Sequence, residues 1–194
     1  MTHIEIENRL KTYYQLIELK RLIRKGWQQK QIKNPESVAD HTFGVLVLSL
    51  LFGKNTNYNF ETLLLTALLH DFGESVIGDI TPADNISKEE KYVLEKNAMI
   101  KIFAELDDSC DVIKLWEDCN NRTTKEGRFI AELDKLEMIL QAKQYENEQE
   151  ISFDDYCQQA ENTIKDDLLK NIIGLIKSKK HLANAQQSSD NQKE

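Results

Sequence analysis

The chain has 194 residues, enough for one domain with a sizeable core and no need of disulfides or a structural metal. Seven glycines and two prolines are too few for a turn-rich sandwich or barrel, and the abundance of Leu, Ile, Lys, Glu, Gln and Ala predicts an all-α protein. With 33 acidic against 25 basic residues and a formal charge of −8, no global positive field would hold a polymeric nucleic acid or an anionic membrane; a local cation or a metal in a cleft still admits a small anionic molecule.

In chain order, Ile6, Leu10, Tyr13, Leu16, Leu19 and Ile23 recur at helical spacing and predict an amphipathic helix from about Ile4 to Lys25, with Gly26 suited to its C-cap. The polar stretch WQQKQIKNPES follows, where Pro35 disfavours helical geometry at Asn34 and Ser37 is placed to cap a helix beginning near Val38. VADHTFGVLVLSLLF is apolar on nearly every face after Thr42, which predicts a helix in the middle of the domain with His41 in its first turns. A second such helix starts at Phe60 and runs into His70 and Asp71, with Gly73 as its stop. Beyond the loop ESVIGDITPADNI, Ser87 and Glu90 stand in capping-box spacing and open a helix to about Ala104. A shorter helix is expected from Leu106 to Cys119. Thr123 and Glu126 repeat the capping spacing ahead of a helix whose inward face is Phe129, Ile130, Leu133, Leu136 and Leu140, with Asp134 at its edge. A last amphipathic helix spans about Phe153 to Lys177. The polar HLANAQQSSDNQKE lacks periodicity and reads as disordered, so the expected organisation is one domain over residues 1–180 and a tail over 181–194.

Cys110, Cys119 and Cys157 are odd in number and widely spaced, as expected of reduced thiols rather than a disulfide framework or zinc knuckle. The charged start MTHIEIENRLK and the absence of any apolar run near ~18 residues point to a cytoplasmic chain with no membrane partner.

The chemical anomaly is a set of polar residues in apolar company: His41, the pair His70-Asp71, and Asp134 among Ile130, Leu133 and Leu136. A buried carboxylate must be paired, protonated or bound to a cation. Singly each has a plain explanation, such as a helix cap or, for Asp134, a partner in Lys135 or Lys143. Together they offer two imidazoles and two carboxylates from three helices, a mixed N/O set suited to one divalent ion such as Mn, Co, Fe, Zn or Mg. An octahedral ion so held keeps positions open for a water and a substrate oxygen.

The order H…HD…D on an all-helical chain resembles the HD superfamily of metal-dependent phosphohydrolases. NPESVADH, HDFGESVIGDITPADNISKEEK and ELDKLEMILQA are similar to the corresponding segments of the bacterial 5′-deoxynucleotidase and its eukaryotic HD-domain relatives. The resemblance implies a helical bundle in which His41, His70, Asp71 and Asp134 bind the metal. It implies that Glu74 and Asp79 lie beside the reacting phosphate, Glu74 at the attacking water and Asp79 at the leaving group or the sugar 3′-hydroxyl. Without it, both would read as exposed loop acids. It also implies nucleotide contacts for Arg24, an anion clamp, and Trp27, a flat wall beside sugar or base. Lys25-Gly26 separates these two here, a spacing like that of the eukaryotic relatives, whereas the bacterial form has them adjacent. Glu36 and Ser37 are helix-start residues or supports for the first ligand, Lys88, Glu89 and Glu90 a solvated helix start, and Glu137 a structural partner for a ligand or a basic neighbour.

The implied reaction is hydrolysis of deoxyribonucleoside 5′-monophosphates to deoxynucleoside and phosphate. An HD enzyme for a dNTP, an alarmone or a cyclic dinucleotide is the alternative, but His70-Asp71-Phe72-Gly73-Glu74-Ser75 lacks the second acid of HDxxED, and no GYP element follows. A non-catalytic helical protein that keeps its metal for stability is a third reading, which leaves Glu74 and Asp79 without purpose. Family members are often dimers, and the apolar faces of the first and last helices allow a homodimer.

Overall fold

Helices that are apolar on most of their surface must pack on several neighbours at once, and this sets the centre of the molecule. In the computed structural model, which describes residues 1–177 apart from 55, 108 and 150, α3 (Val38–Gly53) and α4 (Phe60–Leu69) lie against each other and both against α8 (Lys125–Gln149). Val45, Leu63, Leu133 and Leu136 meet there without solvent contact. The remaining helices are α1 (His3–Leu16), α2 (Lys25–Gln29), α5 (Glu74–Ile77), α6 (Lys88–Phe103), α7 (Ser109–Asn120), α9 (Asp154–Glu161) and α10 (167–177). A smaller core joins Leu69, Met99, Ile102, Phe103 and Trp116 beneath α6 and α7. Among the described residues there is no strand, only an isolated antiparallel bridge between Ile23 and Ser37. The tail expected over 181–194 lies outside the described residues.

The all-α expectation holds, with corrections where distant contacts override local pattern. The first predicted helix is broken: α1 stops at Leu16, a 3-10 turn covers Ile17–Lys20, and Gly26 sits inside α2 rather than capping its predecessor. The cause is the bridge, in which Val38 N–H donates to the Leu22 carbonyl at 2.8 Å and Arg24 N–H to that of Glu36 at 3.0 Å. This pairing straps the Arg24 segment to the entry of α3. Helix α4 ends at Leu69, so His70 and Asp71 fall in the turn after it, and Gly73 precedes α5 rather than ending α4. The cap of α8 belongs to Thr124, whose hydroxyl accepts from Gly127 N–H at 3.0 Å, while Glu126 accepts from Asn59 N–H at 2.8 Å. The last predicted helix is split between α9 and α10, because Glu132 of α8 accepts the Lys165 and Asp166 amides, each at 2.8 Å. Nor are α3 and α4 wholly enclosed, since Phe43, Leu50, Leu51, Leu65 and Leu68 are exposed.

Other expectations stand. Ser37 and Asp40 form a full capping box at the start of α3, and Ser87 accepts from Glu90 N–H at 3.1 Å at the start of α6. Leu63 has no exposed surface at the α3–α4 contact. Leu63→Ala is expected to cost about 2–5 kcal/mol by denaturant unfolding, as for other buried leucines; a loss under about 1 kcal/mol would contradict the central packing.

Candidate metal centre

His41 projects from the first turns of α3 and is wholly buried. Its Nδ1 lies 2.6 Å from Glu137 Oε2 on α8, so this nitrogen donates its proton and Nε2 presents a lone pair to the cleft. His70 is arranged likewise: Nδ1 donates to the Ala67 carbonyl at 2.7 Å, Trp116 Nε1 donates to the His70 carbonyl at 3.3 Å, and Nε2 is left facing inward. The two Nε2 atoms are 3.4 Å apart. Asp71 Oδ2 is 3.2 Å from His70 Nε2 and 3.7 Å from His41 Nε2, and Asp134 Oδ1 is 3.3 Å from His41 Nε2. Ligand atoms of His41, His70 and Asp71 all lie within 4.8 Å of one another. Asp134 adjoins through His41 while its other oxygen meets Lys135 Nζ at 3.0 Å. Lone pairs and negative oxygens converging this closely repel unless a cation or protons lie among them.

The proton affinities follow. Burial and Arg24 pull the His41 imidazole down, yet Asp134 and Glu137 outweigh them and push it up to about 9. Despite burial, Asp71 is held far below the usual carboxylate range by His70, His41 and Arg24, and Asp134 by Lys135 and the two imidazoles. The donor set therefore fits a divalent ion, which would take the place of those protons with the two carboxylates balancing its charge.

Gly44 makes the His41–Glu137 contact possible. A Cβ there would stand 2.5 Å from Glu137 Oε1, so α3 and α8 can enclose the carboxylate only because this position has no side chain. Behind it lies Glu36, which accepts from the Trp27 indole at 2.7 Å and groups with His41 and Glu137 within 4.8 Å. Burial and Glu137 push the Glu36 carboxyl up to about 7.

The acids expected beside the metal line the same cleft. Glu74, at the start of α5, is buried, and its Oε2 has no hydrogen-bond partner among the described residues. Burial, Asp71 and Asp79 all raise its proton affinity, and the nearest cation is Lys91 Nζ, 3.9 Å from Oε1. An unpartnered buried carboxylate oxygen is costly unless water, substrate or a cation completes it. Asp79 accepts Lys25 N–H at 2.7 Å.

Of the two residues expected to touch the nucleotide, Arg24 reaches Asp71 at 3.4 Å and lines the cleft. Trp27 is 2% exposed, packed edge-on against Tyr145, Phe153 and Tyr156. It is among the residues lining the larger cavity, and its indole nitrogen is taken by Glu36. Glu137 does what the sequence suggested, supporting a neighbour rather than facing the cleft. Sequence reasoning missed Lys91, which bonds the Ile80 carbonyl at 3.1 Å and meets Glu95 at 3.4 Å. The four-residue spacing of Lys91 and Glu95 on α6 was the available signal.

Against this geometry, residues 16–173 match the family model described as HD domain. The chain belongs to the HD domain family. It is 43% identical over 131 residues to the 5′-deoxynucleotidase HDDC2 of Danio rerio, covering 66% of this chain and 65% of that one. It is 34% identical over 182 residues to the 5′-deoxynucleotidase YBR242W of Saccharomyces cerevisiae, covering 88% and 75%. The chain thus spans just under two thirds of the length of the vertebrate relative. Among solved structures, the PH0347 protein of Pyrococcus horikoshii superposes with a TM-score of 0.70 at 30% identity, covering 89% of this chain and 96% of that one.

A raised imidazole stabilises the fold fully below its ordinary value of 6.5, and that contribution is lost as pH climbs through about 9. The metal-stripped protein is therefore expected to lose stability across this window. In Glu137→Gln the loss is expected to shrink by about 1 kcal/mol or more, since one of the two carboxylates, Asp134 and Glu137, that favour the imidazolium has lost its charge. Urea unfolding at both ends of the window checks it; identical pH dependence in the two proteins would contradict the pairing.

Proposed function

We propose that the chain is a metal-dependent phosphomonoesterase that hydrolyses deoxyribonucleoside 5′-monophosphates to deoxynucleoside and phosphate. The observation that carries the reading is the buried convergence of His41, His70 and Asp71, flanked by Asp134, with an unpartnered Glu74 oxygen in the same cleft. The names of the relatives supply the substrate class. His41, His70, Asp71 and Asp134 would hold the ion, which when bound supplies Lewis acidity toward a water and a phosphate oxygen.

The remaining roles belong to the side chains. Glu74 is poised to take a proton from the attacking water: its buried carboxylate has a raised proton affinity and a free acceptor oxygen. The water oxygen bonds to phosphorus as the bond from phosphorus to the 5′ oxygen breaks, and that oxygen leaves as the alcohol after gaining a proton. Asp79, oriented by the Lys25 amide, has the role of serving the leaving oxygen or the sugar 3′-hydroxyl. Arg24 balances the acids around it and, with His70 and His41, keeps Asp71 ionised. Trp27 acts through Glu36 on the His41 support while lining the larger cavity.

Purified protein supplied with Mn²⁺ or Co²⁺ is expected to release phosphate from dAMP, dCMP, dGMP or dTMP in preference to the ribonucleotides; no release from any of them sinks the reading. Asp71→Ala and Asp134→Ala are expected to abolish turnover together with bound metal. Glu74→Ala is expected to keep the metal and lose about 10²-fold or more in kcat.

We further propose a homodimer formed through the exposed apolar residues of α3 and α4, including Phe43, Leu50, Leu51 and Leu65. Light scattering is expected to give twice the chain mass for the wild type and the monomer mass for Phe43→Glu. A monomeric wild type at micromolar concentration rules it out.

A further inference from the structure

Two cavities meet at the metal centre. One, of about 1000 Å³, extends past Arg24, Asp79, Met138 and Tyr156. The other, of about 690 Å³, opens between α6 and the α7–α8 turn beside Tyr92, Asn120 and Asn121. Both are walled by Asp71 and Asp134, and both by Lys88, Lys91 and Arg122.

The cations around this junction are not equivalent. Arg24 is committed to Asp71 at 3.4 Å and lies amid the field of Asp134, Asp79 and Glu74. Lys91 is engaged by Glu95 at 3.4 Å and the Ile80 carbonyl at 3.1 Å, and Lys135 by Asp134 at 3.0 Å. Lys88 and Arg122 have no carboxylate partner among the described residues, yet both face the cleft. A divalent ion held by Asp71 and Asp134 is largely balanced by them, so an incoming phosphate dianion calls for further cations, and Lys88 and Arg122 line both cavities with no carboxylate among the described residues engaging them.

Both are also held at fixed points of the backbone. Lys88 is the first residue of α6, behind the Ser87 cap. Arg122 has φ +55° in the turn between α7 and α8, where its N–H donates to the Cys119 carbonyl at 2.9 Å and Thr123 N–H to that of Asp118 at 3.0 Å. The turn closes this tightly because Gly127 lacks a Cβ, which would stand 2.8 Å from Asp118 O and Cys119 Cα.

We propose that Lys88 and Arg122 are the phosphate clamp of this cleft, gripping the dianion at the cavity junction while Arg24 serves the neighbouring acids. This rests on the phosphomonoester reading above. The nucleoside then lies in the larger cavity, whose wall includes Pro82, Met138 and Tyr156.

The test uses Mn²⁺-loaded protein, the variants Lys88→Gln, Arg122→Gln and their combination, and two competing ligands, inorganic phosphate and deoxyadenosine. In the double variant the KM for dAMP and the inhibition constant of phosphate are expected to rise together by about 10-fold or more, the loss of charged hydrogen bonds to one group. Inhibition by deoxyadenosine, which has no phosphate, is expected to move less than about 2-fold, and Arg122→Lys to restore most of the affinity of Arg122→Gln. Lys11→Gln, an exposed charge change on α1 that lines neither cavity, is the control. An unchanged phosphate constant in the double variant overturns the clamp, as does a deoxyadenosine constant that worsens by the same factor. Calorimetric binding of inorganic phosphate needs no turnover. Weakening there supports the clamp even if dAMP is not hydrolysed, and unweakened binding overturns it while leaving hydrolysis intact.

Discussion

Glu137 and His41 meet at 2.6 Å with both side chains buried. Two polar groups can be kept there only if each answers the other, and the cost of separating them, several kcal/mol for a buried charge left alone, holds α3 and α8 in one register. Gly44 is the steric condition for that register. From it follows the direction of the His41 lone pair, and from that direction the position of everything else in the cleft. Asp71 and His70 arrive from the turn after α4, and Asp134 from one turn earlier on the helix that carries Glu137.

The surroundings are built to keep this concentration of charge from flying apart. Trp27, an aromatic core residue, spends its one polar atom on Glu36. Trp116 does the same for the carbonyl of His70. Lys91 ties α6 to the loop that carries Asp79, and the short bridge between Ile23 and Ser37 ties the Arg24 segment to the start of α3. Each contact joins stretches far apart in sequence, so the cleft is a property of the whole bundle. This suits a site that must hold anionic ligands on a chain of formal charge −8: cations are placed individually rather than supplied by a basic surface.

Membership of the HD domain family agrees with this construction. The match over residues 16–173 runs from the end of α1 into α10, so every residue of the cleft lies inside it. No helix among the described residues is long and apolar enough to cross a membrane. The exposed apolar residues on α3 and α4 instead require some other explanation than the core, which is why they enter the proposed assembly.

The sequence by itself determined the all-helical class and most helix starts, and it singled out His41, His70, Asp71 and Asp134 as candidate ligands, because these depend on local spacing, capping residues and the oddity of polar groups in apolar runs. Glu74 and Asp79 were legible only through resemblance to a family, since a loop acid carries no periodic signal. Tertiary structure decided the rest. It split the first and last predicted helices, where a backbone bridge and the Glu132 carboxylate compete with helical hydrogen bonds from across the fold. It turned Trp27 inward toward Glu36, gave Glu137 to His41, and set Lys88 and Arg122 along the walls of both cavities. Those outcomes depend on which side chains meet after packing, and residue spacing along the chain carries no record of the partner.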